Sequence, residues 1–129
     1  MTIEEAGLML DELAEELPEE FYRNLNGGVL LDPAEKRHPD APGLFIMGEY
    51  HRHYVFGRYI VIYYGSFAQM YGSMPAAYWK TQLRKTLRHE FTHHVESLAG
   101  ERGLERRDEE NMDRYRARRW RGRDEGSRR

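Results

Sequence analysis

Nothing constrains the fold of this chain more than the stretch from about Pro75 to Leu98. Ser73 is a fair N-cap with Pro75 in the first turn, and Gly100 offers a stop, so the stretch reads as one long helix. At roughly 100° per residue, Leu83, Leu87, Phe91 and Leu98 fall on one side, with Val95 at its edge. A helix with that stripe must lay it against another layer, which the upstream sequence supplies. "YVFGRYIVIYYGSF", rich in Tyr, Val, Ile and Phe, is the best strand region, with Gly57 marking a turn or bulge. "GVLLDP" reads as a strand ending at Asp32-Pro33, and "LFIMGEY" as another ending near Glu49-Tyr50. We expect Leu44 to Tyr50 to pair with Tyr59 to Tyr64. The polar, Pro-rich "AEKRHPDAPG" is a loop, and "AQMYGSMP" an irregular link.

The N-terminus opens on a capping-box spacing, Thr2 and Glu5, followed by Ile3, Ala6, Leu10, Leu13 and Leu17 at helical intervals. Pro18 ends or kinks this helix and starts a short turn through Phe21 to Leu25, which Asn26-Gly27-Gly28 stops. "GLERRDEENMDRYRARRW" reads as one more helix, highly charged. The expected fold class is therefore α+β: an N-terminal helix, a small mostly antiparallel sheet, the long helix and a C-terminal helix. The 129 residues suit a single domain, 1–120, with 121–129 as an Arg-rich flexible tail.

Several classes of function fall away. No run of about 18 apolar residues is present to span a membrane. The first twenty residues are acidic and carry no Lys or Arg, unlike a secretory signal, so a cytoplasmic location is expected. Net charge is −2, and acidic residues are interleaved with the C-terminal arginines. That end reads as a solvated helix terminus, and nucleic acid is not an expected partner. The expected state is a monomer or weak dimer. With no cysteine in the chain, disulfides are excluded, and a metal would be held by His nitrogen and carboxylate oxygen.

"RHEFTHHV", Arg88 to Val95, supplies such donors. His89 and His93 fall together, nearly opposite the apolar stripe, with Thr86 and Glu96 flanking them and Glu90 at the margin. Residues four apart on a helix sit one above the other, about 6 Å apart along the axis, so two imidazoles can converge on one cation. Glu90, turned about 100° from His89, can reach a water beside the metal without binding it. This is HExxH, whose chemistry is hydrolysis by an activated water with the glutamate as general base. His94 points nearer the stripe and reads as a buried, hydrogen-bonded histidine. His51 and His53 alternate on a strand and read as surface or cleft residues; His38 sits in a polar loop.

A catalytic zinc commonly has three protein ligands plus water. Glu96 lies about 4.5 Å beyond His93 along the axis, so reaching back is strained, and a surface carboxylate or a partner for a nearby Arg is its expected role. A turn at Gly100 or Gly103 would bring back Glu101, Glu105 or Asp108, which spacing does not rank.

Over most of its length the chain resembles the small bacterial zincin-like metallopeptidases, the minimal zincins. The resemblance runs through "LPEEF", "LFIMGEY", "IVIYYGSF" and "LRKTLRHEFTHHVESLAGERGLE". It implies one Zn2+ held by His89, His93 and an Asp, with Glu90 as base and a peptide or protein as substrate. In that family a Gly commonly stands three residues after the second His; here it is Glu96, and "ESLAGERGLERRD" looks like an insertion. Matching "GLERRDEE" to the family's Gly-to-Asp segment puts the third ligand on Asp108, with Glu105 and Glu101 as alternates. The strand Tyr59 to Tyr64 is expected to line the cleft and pair with substrate, with Tyr63 or Tyr64 as a candidate oxyanion donor. Two other readings differ in kind. One is a zincin-fold binding module with a structural metal that works through its Arg-rich C-terminus on RNA or a protein. The other is an amidase acting on a cell-wall or small-molecule amide.

Overall fold

The computed structural model describes residues 1–105, so Asp108, the expected C-terminal helix and the Arg-rich tail lie outside the described residues. Helix α1 (Ile3–Ala14) opens on the expected capping box: Thr2 N–H donates to Glu5 Oε1 at 2.7 Å and Glu5 N–H to Thr2 Oγ1 at 3.1 Å. It ends before Pro18, which instead precedes a short 3-10 turn, Glu19–Tyr22. Three strands follow, β1 (Gly28–Asp32), β2 (Gly48–His53) and β3 (Gly57–Tyr63), then helices α2 (Tyr64–Tyr71) and α3 (Ala76–Glu105).

The sheet has the order β1-β3-β2. β2 pairs antiparallel with β3, with His53 opposite Gly57 at the hairpin end, where Gly57 takes φ 76°. β1 pairs parallel with β3. The sheet is thus mixed, which corrects the mostly antiparallel expectation. The loop 33–47 is long enough to carry the chain past β1's neighbouring position, so β2 settles on the far side of β3. Central β3 therefore has both edges hydrogen-bonded and cannot pair with a substrate strand; β2 is an edge strand, starting later than "LFIMGEY" suggested.

Strand alternation divides β3 between two cores. Ile60 and Ile62 face Ala6, Leu10 and Leu13 of α1 and Trp79, Leu83, Leu87 and Phe91 of α3. Val61 and Tyr63 face the other way, onto Ile46 and Tyr59. Full burial of each large apolar side chain contributes roughly 1.5–3 kcal/mol before entropy is charged against it.

Two expectations about helices need correction. "AQMYGSMP" is not an irregular link, because its first half belongs to α2. Tyr64, Phe67, Ala68 and Tyr71 recur at helical spacing and pack on the main core, where Trp79 meets Tyr64 and Phe67 at ring separations of 5.9 Å. Nor does Gly100 end α3, which runs on to Glu105. A helical glycine costs only about 1 kcal/mol, and Glu101 ties this part of α3 to Arg52 and Arg58 at the base of the β2–β3 hairpin.

Candidate metal centre

α3 packs on both α1 and the sheet, and its flanks are distinct. On the α1 side, Arg84 grips Glu16 with two hydrogen bonds of 2.9 Å. On the other, Thr86 sits over Gly48 so closely that a Cβ there would lie 2.9 Å from Thr86 Cγ2, so the helix needs a glycine at that point of β2. By helical rotation His89 and His93 share the Thr86 flank.

There the two rings converge. His89 Nε2 and His93 Nε2 are 3.2 Å apart, with ring planes at 84°. That is the separation of an N–H···N hydrogen bond between the rings, and it is also close to the roughly 3.3 Å between two nitrogens held about 2.05 Å from one tetrahedral ion. His89 is exposed and His93 half-buried, as a site open to substrate requires. Glu90 lies further in than the expected margin: its side chain is completely buried. A cation at the imidazole pair favours a carboxylate buried alongside it.

His94 fixes this segment. It is fully buried, and both ring nitrogens are engaged. The Arg23 carbonyl can only accept, so His94 Nε2–H donates to it at 2.8 Å, leaving Nδ1 to accept the Tyr50 hydroxyl, also at 2.8 Å. Burial lowers the ring's pKa, and the Arg23 hydrogen bond opposes that only in part, so the neutral tautomer is kept. One residue thus cross-links α3 to β2 and to the segment after the 3-10 turn, beside the turn of helix that carries the pair. The reading of His94 as a buried structural histidine holds.

Among the described residues, no group of three or more His, Cys, Asp or Glu is placed to hold a metal. Glu101 is committed to Arg52 and Arg58. It lies about 12 Å beyond His93 along the axis, and Glu105 about 18 Å, so neither reaches the pair while α3 is continuous. Asp108 follows Glu105 by three residues, a reach of at most about 11 Å. The pair's midpoint lies about 21 Å back. Asp108 therefore reaches the pair only where the helix ends earlier than Glu105.

The expected oxyanion donors are elsewhere. Tyr64 belongs to α2 and donates to the Met1 carbonyl at 2.5 Å. Tyr63 donates to Glu49 at 2.7 Å on the sheet face turned away from α3. Glu49, 3% exposed, centres a cluster missed in the sequence: Lys36 Nζ donates to its oxygens at 2.8 and 2.9 Å, and His51 Nε2 lies 3.1 Å away. Burial would raise this carboxyl, but hydrogen bonds from His51, Lys36 and Tyr63 prevail and hold it at about 2. The same burial and the Glu49 charge push the Tyr63 phenol up. The cluster clamps loop 33–47 to the sheet. His53 has a turn role, its Nδ1 accepting the Val55 and Phe56 N–H groups.

β2 is an edge strand that meets α3 at Thr86 through Gly48 and at His94 through Tyr50. Tyr63 N–H donates to the Met47 carbonyl at 2.9 Å, so by antiparallel alternation Glu49 and His51 bond inward to β3 while Gly48 and Tyr50 turn their backbone groups outward. On the α1 flank, Leu17, Phe21, Phe91 and Val95 line a groove of about 390 Å³, with Arg88, Thr92 and Glu96 at its rim.

The fold and site define an α+β domain built around one long helix that presents two imidazoles facing each other one turn apart. No protein-family model matches the chain, and no curated protein does. Among solved structures, a conserved hypothetical protein from T. thermophilus is similar at a TM-score of 0.67 and 36% sequence identity, over 78% of this chain and 99% of the other. The chain belongs to the family of that protein.

Proposed function

We propose that the protein is a zinc-dependent peptidase of the minimal zincin type, with His89 and His93 as ligands and Glu90 as general base. The observation that carries this reading is the 3.2 Å approach of the two Nε2 atoms, next to a carboxylate withdrawn from bulk solvent. Bound there, zinc supplies Lewis acidity and a water whose pKa falls toward about 7. Glu90 takes the proton of the attacking water and returns it to the leaving amine. An extended peptide adds as a strand to the outer edge of β2, with Gly48 and Tyr50 offering backbone hydrogen bonds along the imidazole flank. Strand addition recognises the peptide backbone, and this favours a peptide over a small amide. Asp108 is the proposed third ligand. α3 then ends at Gly100 or Gly103 in the metal-loaded protein, where glycine makes the helix cheapest to interrupt.

The test is Glu90→Gln in the full chain. It should retain zinc at the wild-type stoichiometry and lose about 10²–10⁴-fold in hydrolysis of an unstructured peptide library. Undiminished turnover in the metal-loaded variant would remove Glu90 from the role of base.

A further inference from the structure

We propose that Glu96 is the positioning residue for His93, accepting the Nδ1 proton that metal binding places on that ring. The inference rests on the metal-site reading and adds to it a residue with another expected role, that of a surface carboxylate or an arginine partner. Among the described residues, Glu96 Oε1 stands 3.9 Å from His93 Nδ1.

Nε2 of His93 faces Nε2 of His89, so the pair offers Nε2 atoms to the ion. A ligating Nε2 must be unprotonated, which obliges a neutral ring to carry its proton on Nδ1. That N–H points to the side where Glu96 stands, one helical turn on at i+3. A carboxylate there fixes the tautomer, limits ring rotation and raises the basicity of the ligating nitrogen. At 3.9 Å the two atoms are beyond hydrogen-bond distance, and a small rotation of an exposed glutamate closes the gap to a hydrogen bond. The Glu96 side chain is 70% exposed, so its removal leaves no cavity and the fold does not depend on it.

The experiment measures Zn2+ affinity of the full chain by competition with a chromophoric chelator, for wild type, His89→Ala, Glu96→Ala, Glu96→Gln and Glu96→Asp, with the melting temperature of each metal-free protein. Glu96→Ala and Glu96→Gln are expected to weaken zinc by about 10–100-fold with the metal-free melting temperature unchanged. Glu96→Asp should recover part of the loss, and nitrogen NMR of the zinc-loaded wild type should show the His93 proton on Nδ1. Wild-type affinity in Glu96→Ala, with His89→Ala defective, overturns the role of Glu96 alone. A wild type that takes up no zinc overturns the metal site and this inference together.

Discussion

At the scale of the residue, two buried polar side chains carry effects that can be measured apart. Glu49 has a folded pKa of about 2 against 4.5 for an ordinary glutamate, so the unfolded chain binds the extra proton between those values. Stability from this carboxylate is therefore complete above pH 4.5 and is lost as pH falls toward 2. The loss amounts to at most about 3 kcal/mol. Urea unfolding of wild type and Glu49→Gln across that range should converge at low pH; parallel curves would contradict the assignment. His94→Ala removes the hydrogen bonds to the Tyr50 hydroxyl and the Arg23 carbonyl and opens a cavity. We expect it to cost about 2–4 kcal/mol in denaturant unfolding. The sequence placed His94 correctly from its angle to the apolar stripe. It missed the Glu49 cluster because a single Glu in "LFIMGEY" has no period, and its partners Lys36, His51 and Tyr63 come from a loop and two strands.

At the scale of the element, the contact between Gly48 and Thr86 sets how closely α3 approaches β2. Gly48→Ala forces a Cβ to within 2.9 Å of Thr86 Cγ2 and 3.2 Å of Ile62 Cδ1. We expect a loss of about 1–3 kcal/mol by overpacking, together with weaker zinc binding as the Thr86 flank shifts. A Gly48→Ala,Thr86→Ser double variant should recover part of both, and absence of recovery in the double-mutant cycle would separate the two sites. Elements were legible where one period dominated: α1 through its capping box, β3 through its aromatic and β-branched run, and α3 through its stripe. α2 was hidden by reading "AQMYGSMP" apart from the Tyr64 and Phe67 that complete its face. The register between β1 and β3 had no local signal, since it depends on where a long loop lets the chain return. The end of α3 was misplaced because a glycine lowers helix propensity modestly, while the Glu101 contacts with Arg52 and Arg58 are visible only in three dimensions.

At the scale of the whole molecule, α3 packs on both α1 and the sheet, leaving His89 exposed and His93 half-buried on its remaining flank. The motif was plain in the sequence; that its rings face each other, that Glu90 is buried and that β2, not β3, is the strand with a free edge required the fold. Binding to the native state alone raises stability by RT ln(1 + [L]/Kd), so zinc at 100 times its Kd should add about 2.7 kcal/mol. Thermal unfolding with and without chelator measures that gain, and zinc-independent melting would contradict a native metal site.

The most direct measurement is a calorimetric titration of Zn2+ into the chelator-treated full chain, beside a His89→Ala,His93→Ala variant that retains the native circular-dichroism spectrum. The account predicts one ion bound per wild-type chain and none at that affinity in the variant. No uptake by the wild type, or equal uptake by both, would contradict it.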